Sequence, residues 1–133
     1  MPERTFHAQD SALHDVLAFT EEQLEAAVCP MKKVMQITVV IEEMFVNIAH
    51  YAYPGGNRTV CYSVEHDDRF VTFRLADSGV PFDPLAKPDP DITLSAKERK
   101  IGGLGIYMMK QTMDDISYEY TNGENILTMK KII

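Results

Sequence analysis

A chain of 133 residues has the length of one domain, and its 45% hydrophobic and 25% charged residues are close to the averages for globular proteins. A net charge of -7 leaves no general basic surface for neutralising phosphates, which argues against nucleic-acid binding. Because no apolar segment approaches the roughly 18 residues that span a bilayer, and the first ten residues contain no signal-peptide core, we expect one cytoplasmic domain over residues 1–133 that does not enter membranes.

The first part of the chain predicts a short edge strand at residues 4–8 and then two helices. Asp10 or Ser11 can cap the first helix, which would run to about Val28. Pro30 suits the first turn of the second helix. Apolar residues of the second helix recur at intervals of three and four, as on a helix packed against a core. They are Val34, Ile37, Ile41, Met44 and Ile48.

Two polar residues lie at the edge of this apolar stripe. Glu43 and Asn47 are four residues apart, so they share one face of the second helix. A carboxylate and a carboxamide at that place would border a pocket. Taken alone, the pair is also compatible with a solvated or capped helix edge.

The second part of the chain predicts two antiparallel hairpins separated by a long loop and a third helix. A turn is predicted at residues 54–57, and the helix at 103–115. Residues 84–101 contain three prolines and several charges without periodicity, and a loop of that length in a compact domain is commonly functional or mobile. The strands are predicted at residues 59–65, 69–76, 116–120 and 125–132.

Two further segments carry chemical information. Asp77-Ser-Gly79 directly follows a predicted strand, and a glycine cluster, Gly102, Gly103 and Gly105, opens into the third helix. Each has an ordinary interpretation, the first as a turn and the second as a flexible helix entry. Either segment could occur by chance. The two segments and the Glu43/Asn47 pair are much less often found together by chance, in this order and at these separations, within one small domain.

The ordered set resembles the three motifs of the Bergerat-type ATP-binding fold of the GHKL superfamily, which gyrase B, sensor histidine kinases and MutL share. Within it, the chain is most similar to the anti-sigma-factor serine/threonine kinases. Their motifs read Glu-x-x-x-Asn, then Asp-x-Gly with a Phe-Asp-Pro continuation, then Gly-Gly-x-Gly before a helix. The matching residues are Glu43 and Asn47, then Asp77, Gly79, Phe82, Asp83 and Pro84, then Gly102, Gly103 and Gly105.

The pattern of elements and the resemblance imply the same fold, an α+β two-layer sandwich. A mixed, mostly antiparallel sheet would be covered on one face by three helices. The resemblance further implies an ATP-dependent serine/threonine protein kinase that binds a sigma factor in one state. In another state it would phosphorylate an anti-anti-sigma partner of the STAS class. Some members of this family form homodimers, and the sequence does not decide the oligomeric state.

Phosphoryl transfer needs a positioned metal, neutralised phosphates and an oriented nucleophile. Asn47 is the expected Mg²⁺ ligand and Glu43 the expected general base. Asp77 would accept a hydrogen bond from the adenine amine, and Gly79 would let the backbone approach the base. Phe82 is assigned to nucleotide binding by the resemblance. The phosphates would lie at the start of the third helix, on the backbone of Gly102, Gly103 and Gly105.

Residues 84–101 would form a lid over the triphosphate. Lys97, Arg99 and Lys100 can touch phosphates from this lid, although a solvated run of charge is the more ordinary interpretation. Tyr51 and Ile101 stand where several of these kinases have His and Arg. An alternative function is therefore a nucleotide-gated binding protein without kinase turnover. An isolated histidine-kinase catalytic domain is disfavoured, because the chain contains no phosphoacceptor helix.

Overall fold

A computed structural model describes residues 3–52, 58–86 and 103–133, and within these ranges the chain forms five strands and three α-helices. The strands are β1 (Glu3–His7), β2 (Thr59–His66), β3 (Phe70–Asp77), β4 (Asp115–Thr121) and β5 (Glu124–Ile132). The helices are α1 (Leu13–Ala26), α2 (Met31–Asn47) and α3 (Gly103–Thr112). Element type and order agree with the prediction throughout. No helix in the described ranges is long and apolar enough to cross a membrane.

The strands form one sheet in the order β1-β2-β3-β5-β4. The sheet is more regular than the mixed, mostly antiparallel one expected, since every pairing among the described strands is antiparallel. Short turns join β2 to β3 and β4 to β5, and such connections produce antiparallel neighbours. The predicted α+β two-layer sandwich is confirmed.

Side chains alternate in direction along each strand, so the sheet has one face covered by the helices and one polar face. Tyr62, Leu75 and Leu127 lie in one cross-strand row and are buried among apolar helix residues. The next row, shifted by one residue and therefore on the opposite face, includes Arg74 and Thr128. The helix residues that complete the core share full burial of an apolar side chain. They are Val16, Phe19 and Leu24 of α1, Ile37, Val40, Ile41, Met44 and Phe45 of α2, and Ile106 and Met109 of α3.

One buried polar contact fixes α1 to the sheet. The Thr20 hydroxyl donates to the Val16 carbonyl at 2.9 Å and lies 2.7 Å from the Tyr62 hydroxyl. Because the single Thr20 proton is already used, Tyr62 is the donor between the two hydroxyls. Burial raises the pKa of the Tyr62 phenol well above its ordinary value, so this donor is retained even in alkaline solution.

The start of α1 and the end of α2 differ from the sequence prediction. Neither Asp10 nor Ser11 caps α1: both lie in a 3₁₀ turn before Leu13, and no side chain caps that helix. The Asp10 carboxylate is instead 2.8 and 2.9 Å from Nε2 of His50. His50 belongs to a π-helix, Ile48–Ala52, that continues α2 directly. The predicted turn at residues 54–57 lies outside the described residues.

A valine in the left-handed backbone conformation ends α1. The φ angle of Val28 is 56°. The Cys29 N–H donates to the Leu24 carbonyl and the Val28 N–H to the Glu25 carbonyl, both at 3.0 Å. This is the Schellman arrangement, in which glycine is the usual residue at the left-handed position. A β-branched side chain is strained there.

We expect Val28→Gly to stabilise the protein by about 1 kcal/mol. The left-handed conformation costs a non-glycine residue roughly 1–2 kcal/mol, which exceeds the added unfolded-state entropy of glycine. Thermal unfolding should show a rise in Tm of about 4 °C. Ala26→Gly, in the last turn of α1, is the matched control and should lose about 1 kcal/mol. A loss of stability in both variants would contradict the assignment of strain to Val28.

Candidate functional site

A pocket opens between the end of α2 and the adjoining ends of β3 and β5. Its walls are largely apolar, with three buried polar residues among them, as is usual for small-molecule sites. Met44, Asn47, Ile48, Leu75, Asp77, Phe82, Pro84, Tyr118, Asn125 and Leu127 line it. The cavity volume is 30 Å³, which is small beside the roughly 300–1,000 Å³ of typical ligand pockets.

Asp77 is the last residue of β3 and is 4% exposed. Its Oδ1 accepts the Gly79 N–H at 2.9 Å and the Asn125 side-chain amide at 3.1 Å. The first contact closes the turn after β3, as the Asp-Ser-Gly sequence predicts. No described residue bonds to Oδ2, so this oxygen can accept a hydrogen bond from a ligand in the pocket.

Asn125 connects the walls of the pocket and was not a predicted site residue. Its Oδ1 accepts the Phe82 N–H at 3.0 Å and the Tyr118 hydroxyl, while Nδ2 donates to Asp77 and to the Val80 carbonyl at 2.9 Å. Tyr118 is a donor because a phenol is protonated at neutral pH, and burial raises its pKa further. One side chain thus holds both the carboxylate and the loop after it. Asn125 is the second residue of β5, close to the β4–β5 turn where asparagine is common, so the sequence contains no signal that singles it out.

We expect Asn125→Ala to destabilise the protein by about 1–3 kcal/mol, the cost of leaving buried polar groups without partners. Tyr118→Phe removes only one donor to the same amide and should cost about 1 kcal/mol. Urea unfolding of the two variants measures the difference. If the alanine variant is no less stable than the phenylalanine variant, the hydrogen bonds of Asn125 do not hold the loop.

Asn47 lies in the last turn of α2, and its side chain is 7% exposed and faces the same pocket. Its Nδ2 has no hydrogen-bond partner among the described residues. Native proteins rarely leave such a group unsatisfied without a ligand or an ordered water. Amide nitrogen and oxygen are nearly interchangeable in position, so rotation of the amide presents Oδ1 to the same space. This arrangement fits a Mg²⁺ ion or a phosphate oxygen as the missing partner.

Glu43 and Gly105 are in direct contact, one turn along α2 from Asn47. A Cβ atom added at Gly105 would lie 2.9 Å from both Cβ and Cδ of Glu43 and closer still to its Oε2. Only glycine therefore allows α2 and α3 to approach this closely. The contact brings the Glu43 carboxylate to the first turn of α3, whose backbone N–H groups have no intrahelical acceptor. The sequence did not predict this packing role of Gly105.

The structure thus brings most of the predicted site residues together. Asn47, Asp77 and Phe82 line one pocket, and Gly79 lies at its edge through its bond to Asp77. Gly103 is the first residue of α3. The remaining predicted residues and most of the proposed lid fall outside the described part of the chain: Gly102, Lys97, Arg99, Lys100 and Ile101.

Comparison with protein families gives a match over nearly the whole chain. The histidine kinase-like ATPase domain matches residues 6–131. Among characterised proteins, the serine/threonine-protein kinase BtrW of Bordetella bronchiseptica is 29% identical over 94 residues, which are 70% of this chain and 66% of that protein. The chain therefore spans slightly less than two thirds of this relative's length.

Solved structures show the same fold. The RsbU and RsbW domains of a Mycobacterium tuberculosis protein superpose with a TM-score of 0.64 at 15% identity, covering 99% of this chain and 33% of that one. The SiaB–SiaC complex of Pseudomonas aeruginosa gives a TM-score of 0.56 at 18% identity, covering 98% and 89%. The resemblance inferred from the three motifs is confirmed by these matches, and the chain belongs to the histidine kinase-like ATPase domain family.

Proposed function

We propose that this protein is an ATP-binding anti-sigma regulatory factor that phosphorylates a serine or threonine of an anti-anti-sigma, STAS-class partner. The observation that carries the proposal is the convergence of the three motifs, with Asn47 and Asp77 in one pocket and Glu43 against the first turn of α3. The family match and the kinase activity named for a relative support it.

The adenine base is proposed to bind at the Asp77 end of the pocket. Oδ2 of Asp77 would accept a hydrogen bond from the exocyclic amine, which adenine has at that position and guanine lacks. The apolar side chains of Met44, Leu75 and Leu127 would contact the ring. Gly79 would allow the backbone to lie close to the base.

The phosphates are proposed to extend from Asn47 toward the first turn of α3. Mg²⁺ coordinated by the Asn47 amide oxygen would neutralise part of the phosphate charge. The N-terminus of α3 presents N–H groups without intrahelical acceptors and the positive end of the helix dipole. Gly102, Gly103 and Gly105 would contribute backbone N–H groups there.

Glu43 is proposed as the general base. The partner's hydroxyl oxygen forms the new bond to the γ-phosphorus, the bond from that phosphorus to ADP breaks, and the hydroxyl proton passes to the Glu43 carboxylate. The half-buried position of Glu43 beside α3 supports this role, because it lies where the γ-phosphate would be presented. Sigma-factor binding, a cytoplasmic location and a homodimer are further predictions of the same proposal.

The test is phosphoryl transfer from γ-labelled ATP to a STAS-domain protein that co-purifies with this chain. We expect label on the partner, and no label when its acceptor serine or threonine is changed to alanine. ATP binding without any transfer would instead favour the alternative, a nucleotide-gated binding protein. Tyr51 and Ile101, in place of the His and Arg of several kinases, are the residues that favour that alternative.

A further inference from the structure

Exposed large apolar side chains concentrate on the hairpin formed by α1 and α2. Val28, Met31, Met35 and Val39 are 86%, 71%, 64% and 38% exposed. The last three are spaced by four residues along α2 and therefore follow one face of that helix. A contiguous exposed apolar patch of this kind commonly marks a site of macromolecular contact.

This patch borders a groove between α1 and α2 with a volume of 520 Å³. Its floor is apolar and includes two methionines, whose flexible side chains adapt to different partner surfaces. The lining residues are Glu21, Glu25, Cys29, Met31, Val34, Met35 and Thr38. None of them lines the proposed nucleotide pocket, so the groove is a separate surface.

The α1 wall of the groove is acidic. Glu21 and Glu25 lie four residues apart on α1, both are exposed, and neither forms a salt bridge with a described residue. The two basic side chains of residues 13–47, Lys32 and Lys33, do not line the groove. Lys33 Nζ donates to the Ile132 carbonyl at 2.9 Å, so that cation is held against the sheet.

We propose that the α1–α2 groove docks an amphipathic helix of a partner protein, one with apolar residues on one face and Lys or Arg beside them. The apolar face would cover the exposed methionines, as in other helix-in-groove complexes. The basic residues would meet Glu21 and Glu25, which gives the site charge selectivity. This inference extends beyond the proposed kinase function and does not depend on it.

Two other occupants are disfavoured by the same charges. In a two-fold dimer centred on the groove, each copy would bring Glu21, Glu25 and a net charge of -7 to the interface, and the like charges of the two copies repel. An anionic membrane surface would likewise be repelled by the acidic wall. A basic helix alone satisfies both the apolar floor and the acidic wall.

The test uses the full chain and a labelled peptide of about 14 residues, roughly four helical turns, with Leu on one face and Lys on the other. A second peptide carries Glu in place of Lys. Fluorescence anisotropy measures the Kd, and NMR shifts of the ¹⁵N-labelled chain locate the peptide. The variants are E21K/E25K and a matched control, D68K/E119K, which makes the same change of net charge at exposed positions outside the groove.

We expect the Lys peptide to shift resonances of residues 21–39, and E21K/E25K to raise its Kd roughly tenfold or more. The same variant should bind the Glu peptide more tightly than the unmodified chain does. The control should change either Kd by no more than about twofold, the contribution of screened net charge. Equal loss in both variants, or shifts mapping outside the groove, would overturn the proposal. Sedimentation that shows a dimer dissociated by Met35→Asp would overturn it as well, because the occupant would be a second copy.

Discussion

Replacing Glu43 by glutamine is expected to lower the rate of partner phosphorylation by roughly 10²–10⁴, the usual contribution of a general base. The amide has nearly the shape of the carboxylate, so its packing against Gly105 should survive. Nucleotide affinity should therefore change little. Asn47→Ala, by contrast, should weaken Mg²⁺-dependent ATP binding, because it removes the proposed metal ligand.

The adjacent Glu42 supplies the matched control. Glu42→Gln makes the same chemical change about 100° around α2, and we expect it to leave the rate unchanged. Single-turnover phosphorylation and ATP calorimetry separate the rate from the affinity. A Glu43→Gln variant that phosphorylates at the unmodified rate would show that this carboxylate only packs beside the N-terminus of α3.

Asp77→Asn is expected to weaken ATP binding by roughly ten- to 150-fold, which corresponds to the loss of a hydrogen bond of about 1.5–3 kcal/mol to a charged group. In this structure the substitution should change the ligand-facing atom of residue 77 and leave its structural hydrogen bonds in place. The asparagine oxygen can keep the contacts with the Gly79 N–H and the Asn125 amide, while its NH₂ group takes the position of Oδ2. A donor would then face the donor amine of adenine.

Inosine triphosphate tests the same hydrogen bond from the ligand side. It presents an oxygen acceptor at the position where ATP presents the amine donor. Asp77→Asn should therefore lower the ratio of ATP affinity to inosine triphosphate affinity. Asp83→Asn is the control, since Asp83 is exposed and its Oδ1 accepts the local Leu85 N–H at 2.8 Å rather than a contact in the pocket wall. Unchanged ATP affinity in a folded Asp77→Asn variant would exclude Asp77 as the adenine-binding residue.

Local sequence patterns were sufficient for the elements and for much of the pocket. The stripe from Val34 to Ile48 predicted the buried face of α2, and Ile37, Ile41 and Met44 are fully or almost fully buried. Strand alternation predicted both hairpins. Motif spacing predicted Asn47, Asp77 and Phe82, which line one pocket. These features depend on residues that are close in sequence, where periodicity and turn chemistry act.

Contacts between distant segments were not predictable in the same way. Asn125 meets Asp77 across the β3–β5 pairing, whose register brings together residues 48 positions apart. Gly105 was assigned only to phosphates, yet it also packs against Glu43. In α3, Gln111 is exposed, whereas Met109 and Met113 are turned to the core. Such outcomes depend on how elements pack, which no local pattern determines.

The central claim is that the pocket between α2 and the ends of β3 and β5 is the ATP site. Two-dimensional NMR of the ¹⁵N-labelled chain, titrated with Mg²⁺ and a non-hydrolysable ATP analogue, tests it most directly. We predict the largest shifts at the side-chain amides of Asn47 and Asn125 and at the backbone amides of Asp77, Gly79 and Gly105. Saturable binding that leaves these resonances unmoved, with shifts at the α1–α2 groove or on the polar face of the sheet, would contradict the account.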